Sequence, residues 1–486
     1  MLLDDKLWTG NIFLGGEWRP GRGGTYDVTE PATGAVLGRI GRATAEDVTE
    51  AGRIAAEAQR AWADTPHPRR AAVLRRAAQL WMEHADEISG WNVREVGAIA
   101  PMAGFALHVA EQECYEAAGL PARPYGELLP SEEPRLSMTR RVPAGVVAVI
   151  APFNVPIILA IRSVAPALAL GNAVLLKPDP RTAVTGGVTL ARIFEEAGLP
   201  PGVLQMLPGA ADVGEALVTD PNVRVISFTG STAAGRRVGA LAGEHLKRAH
   251  LELGGNSALV VLEDADIEGA VAAASFGSWF HQGQICMTTG RHLVHTSLYD
   301  QFVEALVAKA ANLPVGDPAR EQVALGPIID AGQRDKIHSV VTRSSGAGAR
   351  VAAGGTYRDL FYAPTVLADV SGDTPAFREE IFGPVAPVIR FGDTDEAVRL
   401  ATASEYGLSL GIVTRDVMRG LALADRIPTG IVHINDQTVS DEANSPFGGV
   451  GASGTGSRFG GAAANVEAFT ETRWVTLRDK PPAYPF

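Results

Sequence analysis

The sequence predicts an α/β protein built around a doubly wound parallel sheet, and two observations support this. From residue 145 onwards, short apolar runs such as Val146–Ile150 and Ala173–Leu176 alternate with helix-length segments rich in Ala and Leu. Strands without polar alternation, separated by helices, are typical of a parallel sheet that helices cover on both faces. Gly171 and Gly198 also stand where such helices would end, and glycine is the preferred residue there. We therefore expect a sheet of the dinucleotide-binding type.

The remaining elements follow in chain order. A small strand region at the N-terminus precedes a helix that Thr44 is predicted to cap, with Asp47 in its first turn. Pro66 and Pro68 end this helix, and a second one follows. The further apolar runs that we expect to be strands are Val203–Leu207, Val223–Phe228, Ala258–Leu262 and Glu471–Leu477, and Ile267–Phe280 is expected to be a helix.

Length and composition limit the classes of function. A chain of 486 residues exceeds one ordinary core, so two or three domains are expected. The net charge of −12 disfavours binding to nucleic acid or to an anionic membrane surface. Only Cys114 and Cys286 are present, and the N-terminus has an acidic pair where a signal peptide needs positive charge. With no apolar run of about 20 residues either, we expect a cytoplasmic protein without a membrane segment.

Cys286 is a candidate nucleophile. It lies in the segment Gln282–Gly290 (QGQICMTTG), which is polar and flanked by glycine. A nucleophilic cysteine needs an accessible sulfur and neighbours that favour the thiolate, and a loop after a helix could supply both. Taken alone, an ordinary buried cysteine is the better interpretation.

Glu252 is a candidate base. It lies between two leucines in His250–Gly255 (HLELGG). Apolar neighbours raise the pKa of a carboxyl group by desolvation, which makes it a usable base near neutral pH. The alternative is a solvated glutamate at the end of a strand.

Three further features fall at the ends of predicted strands. The segment Phe228–Gly235 (FTGSTAAG) opens a helix, so its amide groups could face a phosphate, although its G-x-x-x-x-G spacing also suits a generic strand–turn–helix. Lys177 ends a strand at the sheet edge where ligands bind in such folds. Asn154 follows the preceding strand, where its amide could hold a developing oxyanion. A solvated lysine and a turn asparagine are the alternatives.

Together these motifs resemble the aldehyde dehydrogenase superfamily in order and spacing, over nearly the whole chain. Agreement of so many separated motifs by chance is negligible. The resemblance implies an NAD(P)⁺-dependent oxidation of an aldehyde to the carboxylate through a cysteine thioester. The motifs are Asn154, Lys177, Gly230–Gly235, Glu252–Gly255 (ELGG), Gln284–Cys286, Glu380–Pro384 (EIFGP) and Ser445–Gly449 (SPFGG).

The same resemblance implies the catalytic roles and the architecture. Cys286 would be the nucleophile and Glu252 the base that activates water, while the Asn154 amide and the Cys286 N–H would form the oxyanion hole. The family architecture implies a small β arm, and hence a homodimer or homotetramer. The implied divisions are a dinucleotide-binding domain (1–124 and 144–253), an α/β catalytic domain (254–445), and an oligomerisation arm with the C-terminal tail (125–143 and 446–486).

For the cofactor, the resemblance implies NAD⁺, and no metal. Lys177 and Glu380 would hold ribose hydroxyls, Ser231 a phosphate, and Phe382 would bound the nicotinamide. The implied cofactor-binding residues are Ile150, Phe153, Lys177, Gly209, Gly230, Ser231, Gly235, Leu253, Glu380 and Phe382.

The sequence departs from the family pattern at three places. Phe153 stands where tryptophan is usual, and because an aromatic ring is kept we expect little effect. Pro180 stands where NAD-preferring members commonly have a glutamate that would repel a 2′-phosphate; its absence, with Arg181 adjacent, predicts some tolerance of NADP⁺. Around Arg458 a second acidic residue of the family is missing, so Glu252 is expected to act without that helper.

The substrate signal points to aromatic aldehydes. The segments Lys177–Arg181, Asn435–Thr438 and Gly456–Gly461 resemble the benzaldehyde, vanillin and salicylaldehyde branch. Val155, where many enzymes for aliphatic aldehydes have phenylalanine, would make room for a planar ring. Arg162 could meet a ring substituent, or be a surface arginine paired with an acid. The implied pocket residues are Val155, Ile158, Arg162, Phe280, Ile285 and Met287.

Four other interpretations stay open at this point. One is an aldehyde dehydrogenase for an aliphatic aldehyde or a semialdehyde. A CoA-acylating enzyme is another, although such enzymes commonly lack the base that Glu252 would provide. The third is a cysteine hydrolase that pairs Cys286 with His281, which leaves the phosphate-loop and Glu380–Pro384 motifs without a purpose. The last is a catalytically idle structural protein, which the retention of both Cys286 and Glu252 disfavours.

Overall fold

The computed structural model describes residues 1–123 and 125–486; Pro124, at a predicted domain boundary, lies outside them. Within these residues, two seven-stranded sheets are each packed between helices, and a smaller antiparallel sheet joins the region before residue 144 to the C-terminal tail. The predicted α/β class is confirmed.

Five consecutive strands of the first sheet, starting at one edge, are parallel, and the two strands from the N-terminus at the other edge are antiparallel. Its strands, in spatial order, are Arg248–Glu252, Val223–Thr229, Val146–Ile150, Ala173–Lys177, Leu204–Met206, Asn11–Leu14 and Glu17–Pro20.

Both faces of this sheet are buried, which is why its strands show no polar alternation. In the strand Val146–Ile150, Val147 and Val149 pack into one apolar cluster, whereas Val146, Ala148 and Ile150 pack into another on the opposite face. The doubly wound arrangement is thus confirmed. The helices that cover one face are Ala45–Asp64, Ala211–Thr219 and Thr232–Glu244; those on the other include His67–Glu83, Ala100–Gly119, Pro156–Ala169 and Thr189–Glu196.

The second sheet has the same construction. All its neighbouring strands are parallel except the antiparallel pair at one edge. Its strands, in order, are Arg350–Ala353, Thr365–Ala368, Val385–Phe391, Thr289–His295, Ser257–Val261, Ser409–Val413 and Ile431–Ile434, and the helices packed on it include Ile267–Trp279, Tyr299–Ala311, Ala331–Gly346, Thr394–Thr402 and Val417–Ala424.

The third sheet links distant parts of the chain. Thr470–Leu477 runs antiparallel to Leu136–Pro143, which pairs in turn with Leu128–Leu129. Several of its large apolar side chains are exposed, with Trp474 at 63% and Leu128 at 74%.

Local predictions are confirmed with small shifts of boundaries. Thr44 caps the helix Ala45–Asp64 in a capping box with Asp47: the Thr44 N–H donates to the Asp47 carboxylate over 2.9 Å. Gly171 and Gly198 adopt the positive φ that favours glycine at a helix end. The helix predicted to end at Phe280 ends at Trp279, because the chain leaves helical geometry at the next residues. In the part of the chain that the structure describes, we find no helix long and apolar enough to cross a membrane.

The remaining elements are short. The other α-helices are Asp5–Trp8, Ala85–Trp91, Pro375–Arg378 and Ala462–Phe469; the 3₁₀ and π turns are Asn92–Val96, Leu120–Ala122, Pro180–Thr182, Val184–Val188 and Phe280–Gly283; and the minor strand pairs are Thr25–Thr29 with Val36–Gly41, Tyr357–Arg358 with Phe361–Tyr362, and Tyr406–Gly407 with Val450–Gly451.

Candidate active site

The chemistry-bearing residues meet at one edge of the first sheet. Ile150 pairs with Lys177, and Thr229 pairs with Glu252, each at the last position of its strand. Because these strands are parallel, their carboxyl ends lie side by side, and Asn154 follows the first of them. This edge is where open α/β sheets bind ligands.

A cleft of about 310 Å³ opens at this edge. All of the predicted cofactor-binding residues line it except Gly209 and Gly235. Those two glycines instead allow close packing: a methyl carbon would lie 2.3 Å from the Val213 side chain at Gly209, and 2.1 Å from the Leu253 side chain at Gly235. The lining includes Ile150, Phe153, Asn154, Lys177, Asp179, Arg181, Gly230, Ser231, Leu253, Cys286, Gln333, Lys336, Glu380 and Phe382.

Lys177 and Glu380 offer opposite charges to the cleft. Lys177 is buried, which lowers the pKa of its ammonium group, and its Nζ makes one long hydrogen bond, 3.4 Å to the carbonyl of Pro178. Glu380 accepts a hydrogen bond of 2.9 Å from the Gly255 N–H, and its burial raises its pKa. A methyl carbon on Gly254 would lie 2.6 Å from Glu380 Oε2, so glycine at position 254 leaves room for this carboxylate in its present place.

The loop after the strand Val223–Thr229 forms a helix start, as predicted. Ser231 caps the helix Thr232–Glu244, and its side-chain oxygen accepts a hydrogen bond from Ala234 N over 3.3 Å. The first backbone N–H groups of this helix lie beside the cleft that Gly230 and Ser231 line. Such a terminus favours an anion such as a phosphate.

A second, smaller cavity of about 40 Å³ adjoins the cleft. Asn154, Leu159 and Cys286 line both spaces, so the sulfur stands where they meet. All six predicted substrate-pocket residues line the smaller cavity. Its full lining is Met102, Phe105, Asn154, Val155, Ile158, Leu159, Arg162, Phe280, Ile285, Cys286, Met287, Val439, Asp441 and Phe447.

The surroundings of Cys286 do not favour the thiolate, contrary to the sequence-based expectation. Burial raises the pKa of the thiol to about 12, and the charges of Glu380 and Glu252 act in the same direction. The polar local sequence suggested an exposed loop, but the fold places this loop against the second sheet. A methyl carbon on Gly255, for example, would lie 2.2 Å from the Cys286 carbonyl oxygen.

Asn154 is held by the loop that carries Cys286. Its side-chain nitrogen donates a hydrogen bond of 2.7 Å to the carbonyl of Gln284. Gln284 is fixed in turn, because its Oε1 accepts a hydrogen bond of 3.1 Å from Ile329 N. A primary amide has two N–H groups, so one remains for a ligand oxygen near the sulfur.

Glu252 is buried close to this centre. Burial raises its pKa well above the ordinary value, against the opposing charges of Arg458 and Arg162 and the nearby backbone N–H of Gly449, and neither carboxylate oxygen makes a hydrogen bond of normal geometry among the described residues. Its side chain does not line either cavity as the chain stands. The charge of Glu252 nevertheless contributes to the raised pKa of Cys286, so the two groups are near enough to interact electrostatically.

Arg162 is buried in the wall of the smaller cavity and is not a surface residue. Its guanidinium forms ion pairs with Glu113, at 3.2 Å, and with Asp441, and lies 4.6 Å from the centre of the Phe447 ring. Its Nη1 is buried without a hydrogen-bond partner among the described residues. Burial raises the pKa of Glu113 to about 7 in spite of the arginine. This wall therefore combines apolar surface with one unused donor.

The guanidinium of Arg181, the residue next to Pro180, forms ion pairs with acidic side chains. Its guanidinium pairs with Asp179 at 2.9 Å and with Asp330 at 2.7 Å, and lies 4.1 Å from the centre of the Phe153 ring. Burial acts to raise the pKa of Asp179, but the contacts with Arg181 outweigh it and the pKa is lowered. Arg181 therefore offers little free positive charge to the cleft.

The sequence interpretation missed several lining residues. Met102 and Phe105 lie at helical spacing on Ala100–Gly119, a pattern that identifies a buried face but not the cavity it meets. Asp441 and Phe447 lie in an irregular segment without periodicity. Gln333 and Lys336 lie on the helix Ala331–Gly346, whose sequence carries no ligand motif.

Comparisons with known proteins agree with this geometry. Residues 18–475 match the model of the aldehyde dehydrogenase family. The chain is 69% identical over 484 residues to a vanillin dehydrogenase of Amycolatopsis sp., covering 100% of this chain and 99% of that one. It is 50% identical to a benzaldehyde dehydrogenase [NAD(+)] of Pseudomonas putida, covering 99% of each chain. A salicylaldehyde dehydrogenase structure from Pseudomonas putida G7, complexed with salicylaldehyde, superposes with a TM-score of 0.94 at 37% identity, over 98% of this chain and 99% of that one.

Proposed function

The chain belongs to the aldehyde dehydrogenase family, and we propose that it oxidises an aromatic aldehyde to the carboxylate with NAD⁺. The observation that carries this proposal is the position of Cys286. It lies where a cleft at a sheet edge, lined by Lys177 and Glu380 among apolar residues, meets a small cavity walled by apolar and aromatic side chains. A cysteine between a cofactor and an aldehyde is what thioester chemistry needs.

The cleft suits a dinucleotide. Lys177 has unused N–H donors and Glu380 a carboxylate oxygen within reach of the cleft, a pair that fits ribose hydroxyls. The helix start at Ser231 fits a phosphate. Phe153 and Phe382, with ring centres 6.0 Å apart, would bound the nicotinamide end. When bound, the nicotinamide accepts a hydride from the substrate carbon.

In the first half of the reaction, the Cys286 sulfur adds to the aldehyde carbon. The thiol proton must leave, because the pKa of about 12 keeps the group neutral at physiological pH; we propose that it passes to solvent through the cleft that Cys286 lines. The free N–H of Asn154 and the backbone N–H of Cys286 would stabilise the oxygen that becomes negative. Loss of hydride then leaves the acyl group on sulfur as a thioester.

In the second half, water hydrolyses the thioester. Glu252, with its raised pKa and unpartnered oxygens, is suited to take a proton from that water near neutral pH. The raised pKa also makes the base inactive in acid, since it must be ionised to accept a proton. We propose that Glu252 acts without a second acid.

The aromatic substrate class rests on the lining of the small cavity. Val155, Ile158, Ile285 and Met287 supply apolar walls, and Phe280 supplies a ring face. We propose that the unpartnered Nη1 of Arg162 meets an oxygen substituent of the ring. The names of the relatives, a vanillin and a benzaldehyde dehydrogenase, support the same class.

The domain limits given above, the assembly and the compartment also belong to the proposal. The exposed apolar residues of the small sheet, such as Trp474 and Leu128, support its use as an oligomerisation arm in a homodimer or homotetramer. Cys114 and Cys286 are both free thiols, and a reactive thiol suits the reducing cytoplasm. Light scattering on the purified protein measures the assembly.

A panel of aldehydes with NAD⁺ and NADP⁺ in parallel tests the function. We expect the highest kcat/KM with benzaldehyde or vanillin, and measurable turnover with NADP⁺. A clear preference for acetaldehyde or succinic semialdehyde would overturn the aromatic assignment. Product analysis with and without CoA tests the CoA-acylating alternative, which requires an acyl-CoA product.

The hydrolase alternative is disfavoured by the position of His281. Its Nε2 lies 2.7 Å from the Asn154 carbonyl oxygen, and its Nδ1 is buried without a hydrogen-bond partner among the described residues, so neither ring nitrogen bonds to the Cys286 thiol. Ester cleavage at full rate without a nucleotide, with no gain of reduced-nicotinamide absorbance, would revive that alternative.

A further inference from the structure

His281 makes an unusual contact in the loop that carries Cys286. The imidazole is 1% exposed, and its Nε2 lies 2.7 Å from the backbone oxygen of Asn154. Its backbone φ of 52° lies in the left-handed region, which side chains other than glycine rarely adopt. A strained, buried residue bonded to the backbone of Asn154, whose side-chain amide is proposed for the oxyanion hole, calls for an explanation in terms of that site.

The contact fixes the protonation state of the ring. A carbonyl oxygen only accepts hydrogen bonds, so Nε2 must carry the hydrogen and Nδ1 must be bare. Burial lowers the pKa of His281 to about 4, which keeps the ring neutral and this tautomer available. Nδ1 has no hydrogen-bond partner among the described residues, so the bond from Nε2 to Asn154 is the only hydrogen bond that the imidazole makes with them.

Hydrogen bonds restrain the strained turn. Gln284 N donates to the His281 carbonyl over 3.0 Å, which closes the turn. Gln282, with a φ of 57°, donates through its side chain to the carbonyls of Gly97 and Pro327, each over 3.0 Å. These hydrogen bonds restrain the turn that presents the imidazole to the Asn154 carbonyl.

This turn therefore holds Asn154 through two hydrogen bonds, one to its side chain and one to its backbone. Its side-chain nitrogen donates to the Gln284 carbonyl, and its backbone oxygen accepts from His281. Loss of the imidazole contact would release the backbone end.

We propose that His281 is a positioning residue for the oxyanion hole: its Nε2–H holds the backbone of Asn154 so that the free amide N–H points at the oxygen formed on addition of Cys286. The proposal rests on the function proposed above. His281 lines neither the cleft nor the smaller cavity. Its effect passes through Asn154 alone, which makes the proposal testable.

The test is a double-mutant cycle between His281 and Asn154, read as the rate of the first-turnover hydride burst. His281→Phe keeps the ring volume and removes the donor, whereas His281→Gln keeps an N–H near the same place. We expect His281→Phe to slow the burst about 10- to 100-fold, as misplaced catalytic groups do. We expect His281→Gln to recover most of that loss.

The cycle separates positioning from a structural role. In an Asn154→Ala background, His281→Phe should lower the burst rate by less than about a further twofold, because the amide that His281 positions is absent. His292→Phe is the matched control: His292 is equally buried and bonds to the Pro387 carbonyl over 2.9 Å, away from Asn154, so its effect should add to that of Asn154→Ala.

The outcomes are distinct. Additive losses from His281→Phe and Asn154→Ala, or no recovery with His281→Gln, would overturn the proposal. If His281→Phe does not fold, as judged by its melting temperature, His281→Leu takes its place in the same cycle. A wild-type protein without aldehyde oxidation would instead contradict the proposed function and not this inference in particular.

Discussion

The side-chain nitrogen of Asn154 lies 2.7 Å from the carbonyl oxygen of Gln284, two residues before Cys286. This bond uses one N–H of the amide and ties its direction to the loop of the nucleophile. The other N–H is free to face a developing oxyanion, where one such donor contributes about 10²–10³-fold to kcat.

Replacement of Asn154 by alanine tests this role. We expect Asn154→Ala to lower kcat by about 10²–10³-fold, because the negative oxygen loses a fixed donor. The dissociation constant of NAD⁺, measured by fluorescence titration, should hardly change. Equal kcat values for the variant and the wild type would remove Asn154 from the oxyanion hole.

The raised pKa of Cys286 predicts how the free enzyme reacts with an alkylating reagent. Only the thiolate reacts, and with a pKa of about 12 its fraction grows tenfold per pH unit from pH 7 to pH 10. We expect the rate of inactivation by iodoacetamide to rise with unit slope over this range. A plateau near neutral pH would show that the thiol has an ordinary or lowered pKa. Cys286→Ala controls for reaction elsewhere.

The absence of an acidic residue at Pro180 predicts tolerance of NADP⁺. Pro180→Glu would place a carboxylate near the 2′ position, and we expect the NADP⁺/NAD⁺ ratio of kcat/KM to fall by about tenfold or more, which corresponds to about 1.4 kcal/mol. Pro180→Gln is the uncharged control and should leave the ratio near that of the wild type. An unchanged ratio with the glutamate would contradict this account of the cleft.

The small side chain of Val155 predicts the preference for a ring. Val155→Phe would fill part of a cavity of about 40 Å³. We expect kcat/KM for benzaldehyde to fall about tenfold or more, and that for propanal to fall much less, since overfilling a packed site excludes the larger substrate first. Val155→Ala is the control and should retain benzaldehyde oxidation. Equal losses for both aldehydes would place the ring elsewhere.

The sequence was sufficient to predict the fold and most of the residues that line the site. Strands such as Val146–Ile150 are buried on both faces and are therefore apolar throughout. This composition predicts a parallel sheet that is covered by helices. The topology then determines that Asn154, Lys177 and Ser231 meet at one edge, because parallel strands end on the same side.

What the sequence could not give depends on contacts between distant segments. The Arg162 guanidinium pairs with Glu113 and Asp441, and Asp441 is 279 residues away, so no local pattern could distinguish this buried cluster from a surface ion pair. The local composition around Cys286 is polar, yet the surrounding fold desolvates the thiol and reverses the predicted shift of its pKa.

We propose that an acyl group rests on the Cys286 sulfur until Glu252 drives its hydrolysis. The most direct measurement is the mass of the Cys286 peptide after Glu252→Gln is mixed with benzaldehyde and NAD⁺ and quenched in acid. We expect about one reduced cofactor per active site in a burst, slow turnover afterwards, and a benzoyl group on the peptide that contains Cys286. A full steady-state rate with no acyl adduct, or an adduct on another residue, would contradict the account.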